Sequence, residues 1–490
     1  MVAFIPPKQA GKYKAVASGA ITNGKPVIVN STGTVSEISS TANAVDASVG
    51  SPTVFESAGS TYISATFDSN SNKVVIAYRD GGNSGYGTAV VGTISDTSIS
   101  FGTPVVFESA STFYTSATFD SSNNKIVISY RDNGNSSHGT AIVGTVSGTG
   151  ISFGSPTVFN SGSTEYTSAT FDSNSNKVVI AYSDQGNSSY GTAIVGTVSG
   201  TGISFGSEAV FESASSKFIS AGSATFDSSN NKVVITYSDF DNSRYGTAVV
   251  GTVSSTSISF GTPVVFESAS VEYTSATFDS SNNKVVISYD DQGNSSYGTA
   301  IVGTVSSTSI SFGSPTVFNN TGATIYTSAT FDPNSNKVVI AYQDQGNSQY
   351  GTAIEGTVSG TSISFSSALV FESASSFDVS TDFDSNANKI VIAYKDGGNS
   401  NYGTGIVFSS SNLSTNLTSE NYIGIASGGT YADTAEATID VVGTVNKDQT
   451  SLTAGQTYFV QTDGTLGTSA DDPSVVAGTA ISATELIVKG

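Results

Sequence analysis

The stretch AYRDGGNSGYGTAVVGT, residues 77–93, decides the fold because the chain writes it seven times with small changes. It returns as SYRDNGNSSHGTAIVGT at 129–145 and as AYSDQGNSSYGTAIVGT at 181–197. Phe67, Phe119, Phe171, Phe226, Phe278, Phe331 and Phe383 then fall in register, about 52 residues apart, a period typical of stacked repeat architectures. The first copy contains four strand-like runs: ISATF (63–67), KVVIAY (73–78), YGTAVVGTI (86–94) and SISFGTPVVFES (98–109). Val, Ile, Tyr, Phe and Thr dominate them, and no segment has a helical period. DSNSNK, DGGNSG and SDTS separate the runs, and their Asp, Asn and Gly favour tight reversals. Asp80, Asp132, Asp184, Asp239, Asp291, Asp344 and Asp396 are expected to brace the second turn of each copy.

In the second run Val74, Ile76 and Tyr78 share one face, and Val75 and Ala77 share the other. A strand apolar on both faces must be sandwiched, which a single four-stranded sheet cannot achieve. The copies must therefore stack, as the blades of a β-propeller do. The seventh copy has its first three runs (379–383, 389–395, 403–408) and lacks the fourth, while an orphan SVGSPTVFES stands at 48–57. The sequence thus predicts an all-β fold: a seven-bladed β-propeller of four-stranded antiparallel blades, closed by an N-terminal strand. An open solenoid would leave the orphan strand unpaired. The expected boundaries are 1–46 and 412–490 for a small β-domain built from both termini, and 47–411 for the propeller.

The composition narrows the function. With 490 residues and a formal net charge of -21, the chain lacks the clustered Lys and Arg that phosphate backbones require. It has no Cys, so disulfides, thiolate metal sites and Cys nucleophiles are excluded. No apolar run reaches membrane-spanning length. MVAFIPPKQAGKYKAVASG offers only the four-residue apolar stretch VAFI after Met1 and before Pro6 and Pro7, too short for a signal-peptide core. An extracellular composition without a visible export signal fits assembly inside a cell onto a particle released by lysis, or a signal already cleaved.

The flanks contain AVASGAITNGKPVIVNSTGTVSEI and SLTAGQTYFVQTDGTLGTSADDPSVVAGTAISATELIVKG. The second resembles sequences that end tail-fibre and other structural proteins of tailed phages, especially marine cyanophages. The repeat is likewise similar to repeats in such virion proteins and in marine bacterial surface proteins. The resemblance covers almost the whole chain and implies a location and a structural role; it carries no catalytic motif.

Antiparallel strands send successive loops to alternate faces. On one face the turns stay nearly constant, as DSNSNK, DSSNNK, DPNSNK and DSNANK. On the other, the residue after the strand-end Tyr is Arg79, Arg131, Ser183, Ser238, Asp290, Gln343 or Lys395. The inter-blade link varies in step through Thr61, Phe113, Glu165, Lys217, Glu272, Ile325 and Phe377. Variable positions on one rim of a rigid scaffold suit a binding surface; relaxed constraint on a solvated rim is the plainer alternative. The fourth blade departs most, with an insertion, Ser220-Ala221-Gly222, and SDFDNSRYG in place of SDQGNSSYG. Lys217, Phe218, Phe240, Asp241 and Arg244 gather there, an aromatic platform flanked by charge that suits a sugar or peptide. Arg79, Arg131, Glu165 and Glu272 complete the candidate ligand-binding set.

Other chemistries find less support. SDQGNSSY (183–190) only loosely matches the Asp-box turn of sialidase-type propellers. The three arginines lie in different blades, two at equivalent positions, which argues against their convergence on a carboxylate. Glu355 and Asp382 interrupt neutral strand positions in adjacent blades and are the pair that glycoside hydrolysis would need. DSNSNK alternates oxygen ligands as calcium loops do, yet Lys73 follows and no bidentate Glu completes the set. His138 stands where other copies have Tyr and is read as ring for ring. No Walker or Rossmann fingerprint is present.

The sequence therefore points to a non-enzymatic virion surface protein, extracellular once released, needing no cofactor and no metal. Other virion proteins would be met through the small β-domain, which also leaves room for homo-oligomers, and a host glycan or surface protein through the variable rim. Nucleic acid and membrane insertion are not expected. The alternative is a secreted bacterial carbohydrate-binding or glycoside-hydrolase propeller.

Overall fold

A computed structural model describes residues 11–40, 45–217, 222–411, 415–470 and 473–489. Among them the structure is all-β with antiparallel sheets and no α-helix; only short 3-10 turns interrupt the strands. The chain forms two compact units. One runs from Ala47 to Ser410; the other joins residues up to Asp46 with those from Ser411 onward.

In the first unit each repeat copy builds the antiparallel strands its pattern predicts. Lys73–Asp80 lies between Thr53–Asp68 and Tyr86–Ser95. The fourth run is interrupted: Ser98–Phe101 ends before Pro104, which has no N–H to give a ladder, and pairing resumes at Val105. From there the chain makes no loop into the next copy, contrary to the link expected from sequence. Val105–Asp120 is one continuous strand. Its first part pairs with Tyr86–Ser95, from Val105↔Ala89 to Ser111↔Tyr86. Its second part pairs with Lys125–Asp132 of the next copy, from Thr112↔Asp132 to Asp120↔Lys125. A bulge after Phe113, with Tyr114 at positive φ, makes the change of partner.

The turns follow the Asp positions. Asp80 Oδ1 accepts from the amides of Gly82 and Asn83, as Asp132 and Asp396 do from their own turns; Asp184, Asp291 and Asp344 accept from the amide two residues on, and Asp239 from that of Asn242. At the opposite end Asp68 Oδ1 accepts from Asn70 and Ser71. DSNSNK is thus a capped hairpin turn.

Val74, Val75, Ile76, Ala77 and Tyr78 are all 0% exposed, as a strand covered on both faces requires. Each buried Val or Ile contributes about 1.5–3 kcal/mol. The cores lie between consecutive copies: Val75, Ala77, Val91 and Phe107 of the first pack with Ile126 and Tyr130 of the second. Val391, Ala393 and Val407 of the seventh pack with Phe55, Ile76 and Tyr78. Tyr402–Ser409 pairs with Ser48–Val49 and with the start of Thr53–Asp68. There Phe55 rests against Gly403, where any Cβ would collide with its ring.

A belt of hydrogen bonds links neighbouring inner strands. The amides of Ala117, Ala169, Ala224, Ala329, Thr381 and Ala65 donate to Ser64, Ser116, Ser168, Ser275, Ser328 and Ser380 Oγ, each at 3.0 Å. Between the fourth and fifth copies the Gly222 carbonyl accepts from Ala276 at 2.7 Å. The fourth-copy insertion therefore replaces a hydroxyl acceptor with a backbone one.

The terminal unit holds two five-stranded sheets of the same topology. One runs in space Lys12–Val16, Glu436–Val441, Tyr422–Ala426, Pro26–Val29, Val35–Glu37. The other runs Val445–Asn446, Leu486–Val488, Val475–Ala480, Thr457–Val460, Leu466–Gly467. In chain order both read first, fifth, fourth, second, third. ITNGKPVIVNSTGTV (21–35) aligns with LTAGQTYFVQTDGTL (452–466), and Gly24/Gly455 and Gly33/Gly464 share positive φ. The single small β-domain expected from sequence is thus an internal duplication. The repeat unit enters the first copy between its third and fourth strands, where the second copy has residues 468–474.

Candidate ligand-binding rim

The paired variable positions meet directly. Thr61↔Arg79, Phe113↔Arg131, Glu165↔Ser183, Lys217↔Ser238, Glu272↔Asp290, Ile325↔Gln343 and Phe377↔Lys395 are all cross-strand partners. They share the end of the sheet that carries the Asp80-type turns. The opposite rim owes its constancy to turn capping by Asp68, Asp120 and their equivalents. Its invariance is therefore a folding requirement, and variability alone is a weaker sign of binding than the sequence comparison suggested.

A stronger sign stands beside six of the seven variable pairs. Tyr62, Tyr114, Tyr166, Tyr273 and Tyr326 have φ of 52°, 52°, 54°, 50° and 55°, and Asp378 takes the same place at 48°. Positive φ is costly for a bulky residue, on the order of 1–3 kcal/mol, and Gly or Asn would meet it more cheaply. Five tyrosines kept there, all half-buried, indicate that the ring itself is used. Tyr62 and Tyr114 have ring centroids 5.2 Å apart, Tyr114 and Tyr166 4.7 Å, Tyr273 and Tyr326 5.1 Å. Burial raises every one of these phenols above the ordinary tyrosine range. Asp378 acts on Tyr62, Tyr326 and Tyr273, and Glu272 on Tyr166, so groups two copies apart still feel one another. The tyrosines form a collar. Its signal in the sequence was an aromatic letter directly after six of the seven variable link residues.

Two clusters of the expected residues flank the collar. Arg79 lies over the Phe113 ring, 5.0 Å from its centroid, and donates from Nε to Ser111 Oγ at 3.3 Å. Arg131 lies over the same ring at 5.6 Å, meets Glu165 at 3.4 Å and donates to Asn133 at 3.0 Å. Two arginines that sequence spacing placed apart therefore do converge, because each copy's rim position borders the next copy's link.

In the second cluster Arg244 stacks on Phe240 at 4.3 Å, with Arg244 and Asp241 exposed. Arg244 also draws down Glu272, whose carboxyl is raised on balance by burial. Burial first and Glu272 second push Asp290 up to about 7. Lys217 closes its strand opposite Ser238, and Phe218 lies outside the described residues. Further along, Lys395 stands over Phe377 at 4.7 Å, and Tyr62 N–H donates to Asp378 at 3.2 Å. Asp290, Asp378 and the Lys395–Phe377 stack were not among the expected site residues.

Glu355 and Asp382 lie on different strands of neighbouring copies. Glu355 is buried on the third strand of its copy, and Asp382 sits on the inner strand of the next. Asp382 accepts from the Phe67 and Phe383 amides at 2.7 and 2.8 Å, with its carboxyl pushed up to about 6 by burial. Among the described residues no cluster of His, Cys, Asp and Glu could hold a metal ion.

No protein-family model matches the sequence, and no curated protein matches it. The fold is similar to that of the BP39L lectin from Burkholderia pseudomallei, with a TM-score of 0.52 at 9% identity. That match covers 73% of this chain and 98% of the lectin. SapL1 lectin, solved with alpha methyl fucoside, is matched with a TM-score of 0.40 at 15% identity over 65% of this chain and 97% of its own. At such identity the BP39L likeness shows the fold alone: this is a propeller-like all-β architecture.

Proposed function

We propose that the protein binds carbohydrate without turning it over, on the rim that carries the tyrosine collar. The repeat unit is, on this proposal, a seven-bladed propeller closed between its last copy and its N-terminal strand. The pairing of Tyr402–Ser409 with residues 48–59 and the Ala65–Ser380 hydrogen bond support the ring. The observation that carries the function is the repeated placement of half-exposed tyrosines at positive φ beside variable charged pairs. Aromatic faces stack on the apolar C–H faces of sugars, and the surrounding Arg, Asp, Gln and Lys supply directional hydrogen bonds. The terminal unit serves as the mount, in keeping with the tail-fibre resemblance of its sequence, and a virion surface is the location proposed for it.

Binding to a glycan array by the intact chain, weakened at least tenfold in Tyr114→Ala, is the expected result. Release of reducing sugar, abolished by Glu355→Gln or Asp382→Asn, would reverse the choice in favour of a hydrolase. Immunogold labelling of purified particles tests the location.

A further inference from the structure

We infer that the Arg79–Phe113–Arg131 cluster is an anion subsite, so that the saccharide bound on this rim carries a carboxylate or a sulfate ester. This rests on the carbohydrate-binding reading above and narrows it to a chemical class. Two of the three arginines in a chain of net charge -21 are spent on one phenylalanine ring. Both guanidiniums are half-buried, so water screens their mutual repulsion less than it would on an open surface. One carboxylate, Glu165, stands against Arg131, and its 3.4 Å approach is long for a charge-assisted hydrogen bond. Arg79 donates to a neutral hydroxyl, that of Ser111.

Arg79 and Arg131 both act on the Tyr62 phenol, and Arg131 on Tyr114, against the opposing carboxylates Asp378 and Glu165, which places two collar rings beside the two cations. An acidic sugar laid on those rings would present its anionic group to two planar, five-donor guanidiniums, the geometry that favours arginine over lysine for oxyanions. The overall charge repels indiscriminate polyanions, so affinity for an acidic glycan would have to come from this local exception. Glu165 competes with the ligand for Arg131.

The test is titration of the full chain with a polyuronate (carboxylate only), a sulfated galactan (sulfate only) and neutral dextran. The subsite holds if either anionic probe binds at least tenfold tighter than dextran and both Arg79→Gln and Arg131→Gln remove roughly tenfold of that affinity. Lys73→Gln, a cation at the opposite end of the sheet, should leave the affinity unchanged. Glu165→Gln, which frees Arg131, should tighten binding; this opposite sign separates a ligand contact from general damage to the rim. Which probe binds tells carboxylate from sulfate. If neutral glycans bind with dependence on Tyr114 and none on Arg79 or Arg131, the anion subsite is wrong and the carbohydrate-binding rim stands. If no saccharide of any class binds, both fall.

Discussion

The amide of Ala65 donates to the hydroxyl of Ser380 at 3.0 Å, across 315 residues of chain. The same bond joins five other consecutive pairs of copies, so the inner strands are held by a repeated serine acceptor rather than by packing alone. Removing one acceptor leaves a buried N–H without a partner, which costs about 1–3 kcal/mol. Ser116→Ala and Ser380→Ala should each lower thermal stability by that amount without changing the far-ultraviolet circular dichroism. An unchanged melting temperature in both would remove the belt as a source of stability.

Acidification should stabilise the protein. Asp290 is pushed up to about 7, and Glu56, Glu108, Glu267 and Glu372 are each raised, with burial the largest cause in every case. A carboxyl raised on folding binds its proton more tightly in the folded chain. For Asp290 the stabilisation by protonation is complete below its ordinary value of 3.8 and is lost as pH rises through about 7. The melting temperature at about pH 5.5 should exceed that at about pH 8, and Asp290→Asn should narrow the difference. A melting temperature that falls on acidification over this range would contradict the assignment.

Relieving the strained backbone should separate stability from binding. Tyr166→Asn keeps a residue tolerant of φ near 54°, and gives up the ring contact with Tyr114. Strain relief and the lost aromatic pair are each about 1 kcal/mol and opposite in sign, so stability should change little. Saccharide affinity should fall at least tenfold. Equal loss of both would make the collar a packing device.

The terminal unit should fold without the repeat unit. Its two sheets share a core around Ile28, Ile425, Tyr458 and Leu486, and the first has another around Ile21, Val27 and Ile439. Asn416 receives the Ser39 amide and donates to the Glu37 carbonyl, both at 2.9 Å, so the points where the repeat unit leaves and re-enters lie side by side. Residue 40 joined to residue 415 through the sequence of 468–474 should give a cooperative melting, all-β protein. A chain without a thermal transition would show that the duplicated sheets depend on what they carry.

Period and local chemistry are what the sequence by itself determined. The Asp80-type turns, the doubly buried Val74–Tyr78 strand and the register of Phe67 with its equivalents rest on residues close in the chain. Their energetics repeat in each copy. Tertiary structure alone decided what one copy presents to the next. Arg79 and Arg131 looked remote because equivalent letters are a whole repeat apart, yet the step between copies brings both onto Phe113. The role of Tyr114 was not legible, because positive φ at a bulge depends on a strand changing partners and leaves no mark in hydrophobic alternation. The paired terminal sheets were hidden for the same reason: the strands that complete the first of them are separated by the whole repeat unit, and only their hydrogen-bonded order reveals the duplication.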